Sequence, residues 1–281
     1  MTDTAPFPRA FVIGWPIAHS RSPLIHGHWL SIHGLPGSYE KIAVPPETVD
    51  DFLRRLPESG FVGGNVTVPH KDAAFRIATE TDAVARATGA VNTLWIDGGR
   101  ICGANTDGPG FLANLDGSAA GWDRRGGTAV VLGAGGAASA VAWGLASRGL
   151  AVRLVNRTLP RAEALAARLG SAVTAHSWGE TERLLADARL LVNTTSLGMV
   201  GKDPLDLDLA GLPADALVTD IVYVPLETPL LAAARARGLA TVDGLGMLLH
   251  QAVPGFERWF GVRPSVGPAL RDLVLADMGV T

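Results

Sequence analysis

The stretch TAVVLGAGGAASAVAWGLASRG, Thr128 to Gly149, decides how the rest of the chain is read. It opens with a β-branched apolar strand, Thr128–Leu132, and continues through a glycine turn into a helix reaching about Arg148. The turn has the pattern G-x-G-x-x-A, with Gly133, Gly135 and Ala138 in the three small positions. Gly133 permits the tight turn and Gly135 lets backbone approach a pyrophosphate. Ala138 keeps the helix close to the sheet, and the helix N-terminus offers free N–H groups to an anion. A second apolar run, Ala151–Val155, follows the helix directly and closes a βαβ unit. Thr128 to Ser147 carries no charge, a length that would cross a bilayer. The central glycines, and β-branched residues confined to the first part, favour strand plus helix, so no membrane association is expected.

The residues after the second strand select the cofactor. A unit that binds NAD places a carboxylate there for the ribose 2′-hydroxyl. Here the residues are Asn156, Arg157 and Thr158, with Arg161 one turn further on. Two guanidiniums and two small polar groups suit a 2′-phosphate, which a carboxylate would repel, so the expected cofactor is NADP.

Working outward, the 281 residues are enough for two domains. A net charge of −3 provides no basic field for nucleic acid or anionic membrane. The single cysteine, Cys102, allows no internal disulfide and points to a reducing compartment. The N-terminal MTDTAPFPRA lacks the basic and apolar regions of a secretory signal. A cytoplasmic α/β protein is expected.

Towards the N-terminus, Arg9–Gly14 and Ser38–Val44 read as strands, and Pro46–Leu56 has helical spacing. Pro23 suits the first turn of a helix, with Ser22 as its N-cap. Phe61–Lys71 reads as a strand entering a proline-broken turn and then a helix. GAVNTLWIDGGRICGANTDG reads as a hairpin turning at Asp97-Gly98-Gly99. Strands alternating with helices predict a mostly parallel sheet. Beyond the fingerprint, strands are expected at Leu190–Asn193, Ala216–Ile221 and Ala240–Val242, with helices between them. The last forty residues read as helical, and their pattern alone leaves open which domain they join.

Several clusters carry candidate chemistry. Ser20 and Ser22, beside a helix N-terminus, can offer two hydroxyls to a carboxylate, although Ser22 as a simple cap explains it as well. Asn65 and Thr67 alternate with Val66 and Val68 and share a sheet face, and Lys71 follows. Only Lys41, Lys71 and Lys202 among the 24 basic residues are lysine, so an amine beside a polar strand end points to proton exchange. Asn92 in GAVNT and Asp107 in NTDG add an amide and a carboxylate, residue types that turns favour in any case. His26 and His28 stand two apart and cannot share a helix face, so no metal site is expected.

Together the motifs GWPIAHSRSPLIH, GGNVTVPHK, GAVNTL, NTDGPGF, VLGAGGAA, NRTLPRA, NTTSLGM, DIVYVPLETPLL and DGLGMLLHQA resemble the shikimate dehydrogenase family, from about Phe11 to Leu273. The resemblance implies an N-terminal α/β substrate domain, residues 1–108 completed by helices in 245–281. It implies a Rossmann-type doubly wound NADP domain over 109–244, with the final helices packing back on the first domain. It implies reversible reduction of 3-dehydroshikimate to shikimate, a small-molecule substrate, and a monomer or homodimer. By position, Ser20 and Ser22 would take the substrate carboxylate, and Thr67, Lys71, Asn92, Asp107 and Gln251 the ring hydroxyls. Tyr223 would line the same pocket. Gly133, Ala134, Gly135, Gly136, Ala137, Asn156, Arg157, Thr158 and Arg161 would hold NADP, with Ile221 and Gly244 near the nicotinamide. Lysine is protonated at neutral pH, so Lys71 and Asp107 are taken as one acid/base unit with no microscopic donor chosen. Many relatives carry an acidic residue where Ala83 stands, and Trp15 occupies a variable position. A dual quinate/shikimate dehydrogenase and a non-catalytic NADP-binding protein are the competing readings. The Asn156-Arg157-Thr158 run weighs against the NAD-preferring form of the first, and the Lys71 and Asp107 side chains against the second.

Overall fold

A computed structural model describes residues 7–280. The chain divides into two compact units, the first comprising Met1–Thr106 and Gln251–Thr281, the second Asp107–His250. These divisions differ slightly from the 108 and 244 expected. Asp107 already opens a helix of the second unit, and the first turn of the helix from Leu245 to Phe260 also belongs there.

The first unit runs β1 (Arg9–Gly14), α1 (Ser22–Ile32), β2 (Ser38–Ala43), α2 (Val49–Arg54), β3 (Gly63–Val66), α3 (Lys71–Ile77), β4 (Glu80–Thr81), α4 (Ala83–Thr88), β5 (Thr93–Asp97) and β6 (Arg100–Ala104). They form one six-stranded sheet, β2-β1-β3-β5-β6-β4. β1 is parallel to β2 and β3, and β4 to β6, while β5 is antiparallel to both of its neighbours. β1 lies between β2 and β3, and its run Ala10–Gly14 is buried, as a strand covered on both faces requires. The β5–β6 hairpin turns at Gly98 (φ +55°) and Gly99 (φ +77°), the pair of positive angles that a two-residue turn demands. Among the described residues three X-Pro bonds are cis: Trp15–Pro16, Val68–Pro69 and Val224–Pro225.

Four local expectations need correction. Ser22 is the first helical residue of α1, and Arg21 is the cap position. Proline's bias against helical geometry in the preceding residue is therefore overcome here, and Ser22 is not the cap. The helix expected over Pro46–Leu56 shrinks to α2, followed by a 3₁₀ turn at Leu56–Glu58 that contains Pro57. The short β4, and a strand at Val173–Ser177, were not expected. Both are last strands of their sheets and carry half-exposed polar residues without apolar periodicity.

The second unit runs α5 (Asp107–Ser118), β7 (Thr128–Leu132), α6 (Gly136–Ser147), β8 (Ala151–Asn156), α7 (Leu159–Leu169), β9 (Val173–Ser177), α8 (Thr181–Leu185), β10 (Ala188–Asn193), β11 (Leu217–Asp220), α9 (Pro229–Ala236) and β12 (Ala240–Val242). α10 (Leu245–Phe260) and α11 (Pro268–Asp277) follow. Its sheet, β12-β11-β10-β7-β8-β9, is parallel throughout. The order reverses between β7 and β10, the switch point at which doubly wound sheets bind ligands. One apolar cluster covers each face, with α6 and α7 in the first and α8 and α9 in the second. The uncharged run Thr128–Ser147 is thus a buried strand and a largely buried helix. Among the described residues no helix is long and apolar enough to cross a membrane.

The C-terminal part of α10 packs within the first unit through Trp259, whose Nε1 donates to the carbonyl of Leu94 at 2.8 Å. A Cβ on Gly63 would stand 2.5 Å from that nitrogen, so the missing side chain makes the contact possible.

Candidate active site

In the first unit the C-terminal ends of β1, β3 and β6 and the start of β5 lie along one edge of the sheet. That register gathers Thr67, Asn92 and Thr106 at the edge. Lys71 opens α3, and its carbonyl accepts from the Val91 N–H at 2.9 Å, fixing the lysine backbone beside Asn92. His70, the cap residue of α3, is buried with Nε2 2.7 Å from the Val44 carbonyl oxygen, and so anchors the helix start.

Asn92 is held in one orientation. Its Oδ1 accepts from the Thr106 N–H at 2.8 Å and from Thr93 Oγ1 at 3.0 Å, which occupies both lone pairs. Thr106 Oγ1, 3.1 Å from the same oxygen, has a nearer acceptor in the Gln251 carbonyl at 2.8 Å. The Asn92 amide is thereby fixed with its nitrogen on the opposite side, where it reaches Gln251 Oε1 at 3.5 Å. Asn65, also buried, donates to the Asn92 carbonyl and to Thr93 Oγ1, both at 3.1 Å, and accepts from the Tyr39 hydroxyl at 2.6 Å. Tyr39 stands in reach of Ser22, and Ser22 is 3.3 Å from Ser20 Oγ. One polar ladder thus connects Ser20 and Ser22 with Asn92 and Gln251. Tyr39, Thr93 and Thr106 were absent from the sequence-based site. Their partners lie up to 145 residues away, and no local pattern announces them.

His26, one turn beyond Ser22, is completely buried and stacks on Tyr39 with ring centroids 4.0 Å apart, among Trp29, Phe256 and Trp259. Neither ring nitrogen has a hydrogen bond of good geometry. Burial pushes its pKa down to about 3, with the Asn65 amide pulling weakly the other way. Burial also holds the Tyr39 phenol well above its ordinary range, so it stays a donor.

In the second unit Asp107 is the buried first residue of α5. Gly133 has φ +111°, and a Cβ there would lie 2.8 Å from Thr194 Oγ1, so both conformation and space require glycine. Gly135 and Gly136 are exposed, and nothing within 4 Å would meet a Cβ on either. α6 begins without a side-chain cap, leaving its N–H groups directed at open space flanked by Ala134 and Ala137. An uncapped helix start under a bare glycine turn fits a pyrophosphate. At the end of β8, Asn156 Nδ2 donates to the Thr158 carbonyl at 2.9 Å, and the Arg161 N–H to the same oxygen at 3.0 Å. Among the described residues Arg157 and Arg161 are exposed and form no ion pair. Most other arginines here do, such as Arg148 with Asp123 at 2.7 Å. Free guanidiniums at this strand end fit a 2′-phosphate.

Ile221 and Tyr223 follow β11, and Gly244 follows β12. A Cβ on Gly244 would come 2.4 Å from the Ile221 carbonyl oxygen, so this glycine lets the two segments touch. Asp220, at the end of β11, is fully buried and accepts from Asn193, Val222 and Thr228. Burial raises its pKa, and the Val222 N–H, Thr228 and Asn193 oppose that shift. Sequence reasoning missed this residue, although an acid ending the apolar run Leu217–Asp220 is the signal that could have found it.

Comparison with known proteins agrees along the chain. Residues 12–94 match the family model for the shikimate dehydrogenase substrate binding domain. Residues 119–200 match that for shikimate / quinate 5-dehydrogenase, and 244–271 that for the shikimate 5'-dehydrogenase C-terminal domain. Shikimate dehydrogenase (NADP(+)) of Methylobacterium radiotolerans is 64% identical over 275 residues, covering 96% of this chain and 98% of its own. The solved shikimate 5-dehydrogenase of Thermus thermophilus, in complex with NADP(H) and shikimate, superposes with TM-score 0.85 at 37% identity. It covers 96% of this chain and 99% of its own. Quinate dehydrogenase of Corynebacterium glutamicum in complex with NAD superposes with TM-score 0.87 at 32% identity, covering 96% and 99%.

Proposed function

The chain belongs to the shikimate dehydrogenase family, and from that premise we propose how its residues divide the reduction of 3-dehydroshikimate to shikimate. The enzyme is an NADP-dependent oxidoreductase of aromatic amino acid biosynthesis. NADPH, when bound, supplies the hydride that reaches C3 of the substrate.

The work of the chain is to bind, orient and move one proton. Ser20 and Ser22 hold the carboxylate, and Thr67, Asn92 and Gln251 hold the ring hydroxyls. Tyr223 closes the same pocket. As C3 becomes tetrahedral, negative charge grows on the carbonyl oxygen, and a positioned ammonium stabilises it. Lys71 and Asp107 act there as one acid/base unit that delivers the proton to the oxygen in reduction and removes it in oxidation. Gly133 to Ala137 hold the pyrophosphate, Asn156, Arg157, Thr158 and Arg161 the 2′-phosphate, and Ile221 and Gly244 the nicotinamide end. The chain works as a monomer or homodimer in the cytoplasm, where buried Cys102 remains a thiol.

The observation that most supports the cofactor reading is the pair of unpaired guanidiniums, Arg157 and Arg161, at the position where an NAD enzyme places a carboxylate. The test is oxidation of shikimate and quinate by the purified chain with NADP and with NAD. Shikimate with NADP is expected to have the highest kcat/KM. Faster quinate turnover with NAD overturns the assignment.

A further inference from the structure

Two carboxylates are buried among the described residues, Asp107 and Asp220, and the chemistry above uses only the first. Removing a carboxylate from water costs several kcal/mol unless donors surround it, and Asp220 has three. Oδ1 accepts from Asn193 Nδ2 at 3.0 Å and from the Val222 N–H at 2.9 Å, and Oδ2 accepts from Thr228 Oγ1 at 2.8 Å. The donors sit on three segments: the end of β10, the chain just after β11, and the cap of α9. Asn193 passes the restraint on, because its Oδ1 accepts from the N–H and the hydroxyl of Thr195 at 3.0 and 2.7 Å. The segment after β11 is tied at further points. The Ile221 N–H donates to the Asn193 carbonyl at 3.0 Å, and the Val224 carbonyl accepts from the Val200 N–H at 3.0 Å.

We propose that Asp220 is a positioning residue for the reaction, setting the backbone of residues 221–224 so that Ile221 and Tyr223 face their ligands. This rests on the roles given to those two side chains above. The requirement is for geometry rather than charge. In Asp220→Asn, Oδ1 keeps Asn193 and Val222 while the new amide donates to Thr228 Oγ1, which turns from donor to acceptor. In Asp220→Ala all three donors lose the carboxylate, and only Asn193 keeps another acceptor, the Leu197 carbonyl at 3.2 Å. In Thr228→Val the bond to Asp220 Oδ2 and the cap bond from the Leu231 N–H are lost, while Asn193 and Val222 still donate to Asp220.

The test compares these three variants of the full chain, measuring kcat and KM for shikimate and, by calorimetry, the Kd of 2′,5′-ADP. That probe contacts only the adenosine-phosphate end, Gly133 to Arg161, and reports whether the second unit is folded. Asp220→Ala is expected to lose roughly 100-fold in kcat/KM, as misplaced reacting groups do, with the Kd of 2′,5′-ADP within about twofold of the parent. Thr228→Val is expected to lose about fivefold in kcat/KM, the worth of its one bond to Asp220, with the lost α9 cap bond lowering stability instead, and Asp220→Asn less than about threefold. The proposal falls if Asp220→Ala, folded as judged by its 2′,5′-ADP binding, retains full kcat/KM. It falls equally if Asp220→Asn, with 2′,5′-ADP binding intact, loses more than about tenfold in kcat/KM, or if Thr228→Val is unaffected. The last two arms decide the matter even where Asp220→Ala fails to fold. Tyr223→Ala separates the underlying reading: an unchanged shikimate KM there refutes the role of Tyr223. A raised KM there, beside an unaltered Asp220→Ala, refutes the anchor alone.

Discussion

On the roles proposed above, the two units recognise their ligands by different physics. The second uses backbone and surface: a glycine turn, an uncapped helix start, and two guanidiniums with no partner of their own. The first uses a buried ladder of side chains from Ser20 through Tyr39, Asn65 and Thr93 to Asn92 and Gln251, each fixed by the next. A backbone cradle tolerates change around it, because glycine and a helix N-terminus supply the donors whatever their neighbours are. A side-chain ladder does not, since each member decides which way the next one points. Substitutions in the two regions should therefore fail in different ways.

The largest effect is expected at Lys71. Lys71→Ala should lower kcat by roughly 10²- to 10⁴-fold, the range that a positioned acid/base group contributes. NADP affinity, measured by fluorescence titration, should barely change, since the cofactor cradle lies wholly in the other unit's residues. Equal loss of cofactor binding would mean that the lysine is not an acid/base group and that the contrast between the units is wrong.

Next comes the pH dependence of stability that His26 brings to the first unit. The ring titrates at about 3 in the folded chain and near 6.5 unfolded, so between these values the unfolded chain holds a proton that the folded chain refuses. Its contribution is complete above pH 6.5 and is lost as pH falls towards 3. From pH 6.5 to 4.5 the loss is about 2–3 kcal/mol. His26→Phe keeps an aromatic ring among Trp29, Tyr39 and Phe256 but has nothing to protonate. Urea unfolding at the two pH values should show a fall smaller by that amount in the variant. An identical fall would show that the imidazole already charges in place.

Of comparable size or smaller is the effect at Arg157. A charge-assisted hydrogen bond to phosphate is worth about 1.5–3 kcal/mol, so Arg157→Ala should weaken NADP binding by roughly 10- to 100-fold. NAD, which lacks the 2′-phosphate, should bind as before. If both weaken together, the guanidinium supports the fold of the β8–α7 turn instead of reading the phosphate.

This difference also explains what was legible in the sequence. The second unit was readable almost to its ends, because a G-x-G-x-x-A turn between an apolar strand and a helix has one physical use, and Arg157 and Arg161 are local to it. Its exception was β9, whose Thr174 and His176 carry no apolar alternation. In the first unit the strands, the hairpin at Gly98-Gly99 and the types of residue at the site were readable. The wiring was not. Asn65 was visible as a polar residue in an apolar strand, but nothing local pairs it with Tyr39, 26 residues away, or with Thr93, 28 away. Thr106 binds a carbonyl 145 residues on. Such partners become visible only once β3, β5 and β6 lie side by side. The corrected cap of α1 is the same lesson at short range, since Ser22 as the cap and Ser22 as the first helical residue share one local pattern.

The smallest effect tests that wiring most directly. Thr93→Val conserves shape but removes both the donor that holds Asn92 Oδ1 and one acceptor for Asn65 Nδ2. Asn92 keeps the Thr106 N–H, and Asn65 keeps the Asn92 carbonyl, so neither amide is stranded. What is lost is the second tether that fixes the orientation of the Asn92 amide. One neutral hydrogen bond is worth about 1 kcal/mol, so the KM for shikimate should rise about fivefold. The Kd of NADP should not move, and kcat should fall little, because the residues assigned to proton transfer keep their own anchors. A Thr93→Ser variant restores the hydroxyl and should restore KM. If Thr93→Val leaves KM where it was, Thr106 alone orients Asn92, and the ladder is a packing arrangement and not the device that turns the amide towards the substrate.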